Sequence, residues 1–233
     1  MRFLNTLLND IRFQIKYGFY YLYAFFTIVY ITALMIIPSP YKNKAASLII
    51  LTDPAMLGIF FIGGIWLLEK EEGLHRFWGV SPLRPLEYLL AQSISLAILS
   101  TLSAVLIVVT GMGGGVHIVS LSYCVFLGAV IFNLIGLFVA SYARSVNHYI
   151  KIVLLPAVFL AMPPVLTAFG MAHPLLELFP GTVLWHLLEN AIDRTETSDG
   201  QMESILFLWL TLLLALANKR ISTALQAEGG DGV

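Results

Sequence analysis

Runs free of Asp, Glu, Lys and Arg divide the chain into long apolar stretches joined by short charged links. A bilayer imposes this pattern, because a helix needs about 20 apolar residues to cross roughly 30 Å of hydrocarbon. Residues 1–18 (MRFLNTLLNDIRFQIKYG) depart from it. Phe3, Leu7, Ile11 and Ile15 fall on one helical face with Leu4 and Leu8 beside them, whereas Arg2, Asn5, Asn9, Arg12 and Lys16 lie elsewhere. This spacing predicts an amphipathic helix lying in the membrane interface; the plainer alternative is a lead-in to the first span.

Within 19–220 the pattern predicts a transmembrane domain of six spans, an all-α integral membrane protein. The first is 19–37, with Tyr17, Tyr20 and Tyr21 as interfacial anchors and Pro38-Ser39-Pro40 as its stop. Asp53-Pro54 reads as a helix start, with Asp as N-cap and Pro in the first turn, so the second span is expected over 54–72. Ala45–Thr52 then becomes a short embedded piece on the far side, and Gly73 a C-terminal stop. Further spans are expected over 86–109, 119–143, 152–165 (ended by Pro163-Pro164) and 204–218 (ended by Lys219-Arg220). Residues 171–192 are apolar but broken at Pro174 and Pro180-Gly181, which predicts two short helices dipping into the outer leaflet. Residues 221–233 read as a loose cytoplasmic tail.

Composition agrees: 58% of the 233 residues are apolar, 12% are charged, and mean hydropathy is +0.85. The net charge of −1 offers no basic patch for nucleic acid. The one cysteine, Cys124, excludes an intrachain disulfide and a cysteine metal cluster. The first apolar run is too long for a cleavable signal peptide and no small-x-small site follows it. Orientation follows from the basic residues. Arg2, Arg12, Lys16, Lys70, Arg76, Arg84, Arg144, Lys151, Lys219 and Arg220 fall on one side, and Lys42, Lys44 and Arg194 on the other. The positive-inside rule then puts both termini in the cytoplasm of a plasma-membrane protein.

The spans so drawn contain no carboxylate, Lys, Arg or His, which argues against a proton-coupled carrier and against a charged substrate held at the midplane. They do carry small-residue faces: Ser93, Ala97, Ser100 and Ala104 on the third, and Ala129, Asn133, Gly136 and Ala140 on the fourth. Such stripes let helices approach closely, within the chain or along a pathway, and Asn133 reads as interhelical glue. The link Glu69–Gln92 (EKEEGLHRFWGVSPLRPLEYLLAQ) carries a charged helix end, a Gly, an amphipathic stretch and a Ser-Pro turn. It predicts a short surface helix between the second and third spans. Trp78 would anchor it at the headgroups, leaving Glu71, Glu72, His75 and Arg76 to face a partner.

The order Glu-Lys-Glu-x-Gly, Ser-Pro-Leu and Glu-Tyr-Leu-Leu-Ala resembles the permease subunits of ABC-2 type transporters, and most closely the small bacterial drug-export permeases of fluoroquinolone-exporter type. The resemblance covers most of the chain. It implies that the link is a coupling helix docking on an ATPase, and assigns that role to Glu69, Glu71, Glu72, Gly73, Arg76, Ser81, Pro82 and Leu83. Leu74 departs from the family, which often has Thr or a similar small residue there. The implied machine is an ATP-driven exporter working by alternating access, its cargo an amphipathic small molecule or drug. The chain has no GxxxxGK[ST] loop, so no catalytic residue or cofactor is expected on it, and ATP and Mg would sit on a separate ATP-binding subunit. Six spans are about half of a two-fold pathway, which calls for a second copy or a paralogous permease.

Two other classes compete. Glu71-Glu72-x-x-x-Arg76, Phe169-x-x-x-His173 and His186-x-x-x-Asn190 spell the motifs of CAAX-type intramembrane proteases. The expected topology separates the first from the others by a bilayer thickness, about 30 Å. His173 with Glu177 and His186 with Glu189 have metal-pair spacing, although a solvated helix edge has the same pattern. A substrate-binding membrane subunit of a vitamin importer would also have six spans without ATPase motifs, but it has no use for the Glu69–Leu83 link.

Overall fold

The computed structural model describes residues 2–80, 84–113, 115–171, 173–194 and 200–230, and every element among them is helical. In chain order these are α1 (Arg2–Lys16), α2 (Phe19–Ile36), α3 (Ser39–Ile50), a π turn (Leu51–Ala55) and α4 (Gly58–Glu71). There follow α5 (Leu74–Val80), α6 (Pro85–Met112), α7 (Ile118–Ala140), α8 (Val146–Ala168), a 3-10 turn (Leu176–Leu178), α9 (Pro180–Asp193) and α10 (Gly200–Gly230). Six are long and apolar enough to cross a membrane: α2, the run Ser39–Glu71, α6, α7, α8 and α10.

The second crossing differs from the sequence-based expectation. Asp53 does not cap a new helix. The chain stays helical from Ser39 to Glu71, loosening into the π turn where Pro54 withholds its N–H. Leu51, Asp53, Pro54 and Ala55 are all buried there. A carboxylate therefore does lie within a spanning run, contrary to the reading that the spans carry none. The prolines of α8 do not end it either. Pro156, Pro163 and Pro164 lie inside a helix that continues to Ala168, as spanning helices allow when neighbours cover the freed backbone. α10 runs past Lys219-Arg220 to Gly230, and Ile221 and Leu225 pack inward, so the expected loose tail is helical through residue 230. Between Phe169 and Arg194 the described residues hold one 3-10 turn and one helix, α9, in place of two short helices.

α7 forms the centre, packed by α4, α6, α9 and α10. Glycines set the closest approaches. Gly58 and Gly63 of α4 lie against Asn133 and the Tyr149 ring, and a methyl at Gly136 of α7 would stand 2.5 Å from the Ile59 carbonyl oxygen. Asn133 donates to the Ser93 carbonyl at 3.0 Å, and the Tyr149 hydroxyl donates to the Ile59 carbonyl, so polar groups join α6, α7, α4 and α8. α2 packs on α6 through hydroxyl pairs: Tyr23 with Ser100 at 3.0 Å and Thr27 with Ser103 at 2.6 Å. Its remaining faces, with Tyr21, Phe25, Ile28 and Met35, are exposed. α9 starts inside the bundle, where Gly128 meets its Leu184 and the Leu160 carbonyl meets its Gly181, while Asp193 at its other end accepts from Asn43 at 2.6 Å.

Candidate coupling site

The link between α4 and α6 lies at the end of the bundle that also holds α1 and the last turns of α10, which pack on α5. Its interior is polar. The Tyr88 hydroxyl donates to Glu69 Oε2 at 2.5 Å, and His75 Nε2 approaches the same oxygen at 3.9 Å. Glu69, His75, Tyr88 and Gln92 are at most 2% exposed. Aromatic rings close the pocket: Trp66 lies 4.1 Å from His75 between centroids and 5.9 Å from Tyr88, and Trp78 lies 6.1 Å from Tyr88. Gly73, at a φ of 74°, makes the sharp turn from α4 into α5, a conformation that a side chain rarely adopts.

α1 completes this interior. Its buried residues Thr6, Asp10 and Gln14 repeat every four positions and face the protein, while Leu4, Leu8 and Ile15 face outward. The polar stripe is used for packing, Phe3, Leu7 and Ile11 are half-buried beside it, and the outward side mixes Leu4, Leu8 and Ile15 with Asn5, Asn9, Arg12 and Lys16. Gln14 Nε2 donates to Ser95 Oγ of α6 at 2.6 Å. Burial pushes the Asp10 carboxyl up to about 9, and the charge of nearby Glu69 adds to the effect. Asp10 therefore holds a proton at neutral pH and can stand near Glu69 without a second buried charge.

The residues that the resemblance assigned to docking, together with His75, which the pattern of the link had turned toward a partner, separate into two groups. Glu71, Glu72, Gly73 and Arg76 are exposed and form the outer surface of the link. Lys16 of α1 pairs with Glu72 at 3.4 Å, an exposed contact worth well under about 1 kcal/mol. Glu69 and His75 point inward and present nothing to a partner, because the last turn of α4 rotates Glu69 against α6 and α5 folds His75 onto Trp66. Trp78 is half-buried and packs on Tyr88. Ser81, Pro82 and Leu83 lie outside the described residues. Asp10, Gln14, Tyr88, Gln92 and Ser95 were missed from the sequence; the four-residue polar repeat of α1 is the signal that could have revealed the first two. Ser93, Ser100, Asn133 and Gly136 are buried between helices of this chain.

The motifs of the protease reading do not meet. Glu71, Glu72 and Arg76 lie at the α4–α5 end, whereas His173, His186 and Asn190 follow α8 on the other side of a 23-residue helix, about 34 Å long. His186 pairs with Glu177 at 3.1 Å, and His173 Nδ1 accepts from the Leu175 backbone. Among the described residues no three His, Cys, Asp or Glu side chains are placed to hold a metal ion.

Six helices long and apolar enough to cross a membrane, packed around a glycine-rich core, define a polytopic α-helical membrane protein. The family model of the fluoroquinolones export permease proteins matches residues 1–225, and the chain belongs to that family. Two proteins named fluoroquinolones export permease protein, from Mycobacterium tuberculosis strains CDC 1551 / Oshkosh and ATCC 25618 / H37Rv, are each 26% identical to it over 202 residues, covering 86% of this chain and 85% of theirs.

Proposed function

We propose that this chain is the membrane-spanning permease subunit of an ATP-driven ABC exporter, embedded in the plasma membrane with both termini in the cytoplasm. It works with separate ATP-binding subunits, which hold the ATP and Mg, and with a second permease, identical or paralogous. Its cargo is an amphipathic drug-like molecule of the fluoroquinolone class, a substrate that the names of its relatives suggest. The observation that carries the reading is the link itself. Glu71 and Glu72 close α4, Gly73 turns the chain and Arg76 stands on α5, and all four are exposed. The link that carries them packs on α4 and α10, meets Tyr88 of α6 through Trp78 and is joined to α1 by the Lys16–Glu72 pair. A push on that surface reaches four elements at once, as alternating access requires when ATP closure must rock helix bundles.

The test combines two measurements on the tagged chain. Purification from native membranes in mild detergent should recover a stoichiometric ATPase subunit with a phosphate-binding loop. The Glu71→Ala/Glu72→Ala double variant should fold normally yet lose drug export and drug-stimulated ATPase activity. Export at the wild-type rate by that variant would refute the coupling role, and a chain that purifies alone would refute the ABC assembly.

A further inference from the structure

Asp53 lies nine residues from Lys44 and sixteen from Glu69, the charged residues that bound its apolar run, hence about 13 Å and 24 Å along the helix axis. The hydrocarbon core is about 30 Å thick, so Asp53 lies well inside it. It is 6% exposed and faces the protein, flanked by buried Leu51, Pro54 and Ala55. Ionisable residues at such depth are costly, and they mark binding or relay sites.

The surroundings do not neutralise this group. A carboxylate accepts about four hydrogen bonds. Among the described residues the Tyr30 hydroxyl of α2 is the side-chain donor near enough to reach it, and no Lys, Arg or His pairs with it. Tyr23, close enough to feel its charge, already pairs with Ser100, and Thr27 pairs with Ser103. The neighbouring hydroxyls are therefore committed to holding α2 on α6. Tyr30 is only half-buried and stacks on Phe26 with centroids 6.2 Å apart, so the site is bordered by aromatic rings on the thinly covered side of the bundle. The backbone is irregular here as well. The π turn that carries Asp53 packs against α9, where Thr182 is fully buried with its hydroxyl unpartnered. Interrupted helices meeting at membrane depth are how transporters expose polar groups to a cargo.

We propose that Asp53, with Tyr30 donating to it and the Tyr30 and Phe26 rings beside it, is the recognition site for the ammonium group of a cationic amphipathic cargo. A carboxylate supplies the counter-charge, and ring faces attract an alkylammonium that has left water. This assignment rests on the permease reading above and narrows its cargo to molecules with a protonated amine.

Equilibrium binding to the full chain in lipid nanodiscs tests it, read by anisotropy of the ligand's own fluorescence. The probes are a fluoroquinolone with a free piperazine nitrogen and its N-acetyl derivative, which lacks the ammonium. The wild type should favour the free amine by about tenfold or more. Asp53→Asn, nearly isosteric and still able to accept from Tyr30, should lose that preference by weakening the free amine alone, while Asp53→Glu retains it. Equal weakening of both probes would mean that Asp53 acts structurally and would overturn the site. Equal wild-type affinity for both would also overturn it, leaving the permease reading intact, and would decide the matter if Asp53→Asn did not fold. A wild type that binds neither probe would overturn the site together with the proposed substrate class.

Discussion

Asp10 determines how the interior of the link responds to pH. Its carboxyl is raised to about 9 by burial and by Glu69, so between its ordinary range near 3.8 and 9 the folded chain holds a proton that the unfolded chain has released. The sign follows: stability falls as pH rises through that window, by up to about 1.4 kcal/mol per pH unit, and levels off above 9. Thermal melts of the detergent-solubilised chain from pH 6 to 9.5 should decline steadily in the wild type and flatten in Asp10→Asn; parallel curves would show that Asp10 is not the titrating group. The exposed charges of the link, Glu71, Glu72 and Arg76, could be read from the sequence alone. The inward turn of Glu69 and His75 could not, because facing depends on the angle at which α4 meets α6 and α5 meets Trp66, and neither angle is written in local sequence.

At the scale of elements, apolar run length located all six crossings, and punctuation misplaced their ends. Asp53-Pro54 carries the signature of a helix start, and Pro163-Pro164 that of a stop, yet both lie within continuous helices. In water a proline that removes a backbone bond ends a helix, since solvent offers an alternative partner. In lipid the chain does better to stay helical and let neighbours cover the gap. Gly181 supplies such cover: lacking a side chain, it brings α9 against Leu160 and Pro164 of α8. The end of α10 was misread for a different reason. Its polar residues hide an inward pair, Ile221 and Leu225, in a helix that packs on α5. Ile221→Ala, at a fully buried position, should cost about 2–4 kcal/mol and lower the melting temperature, and limited proteolysis should then cut first near α5. An unchanged melt and cleavage pattern would show that α10 does not brace the link.

For the whole molecule the open variable is which way the bundle faces. The ten-to-three division of basic residues predicts the α1–α5 end inside. Lys44 and Glu71 are both exposed, at opposite ends of one crossing, and the native Cys124 is buried. In intact cells a membrane-impermeant maleimide should therefore label Lys44→Cys and spare Glu71→Cys until the membrane is opened; the reverse pattern would invert the topology and remove the link from any cytoplasmic ATPase. α2 and α10 are the least covered crossings, so lipid or a second permease has most room on those flanks.

The π turn at Leu51–Ala55 has a geometric consequence of its own. A π turn carries one residue more than an α turn, and one residue of α-helix is about 100° of rotation. It works like a gear with one extra tooth. Losing a single residue there would leave α4 and its link where they are but turn all of Ser39–Ile50 by more than a quarter revolution, moving Asn43 off α9. At this point in the chain, length acts as an angle, and a one-residue change would re-aim the far half of the crossing without altering a single contact in the half that meets the link.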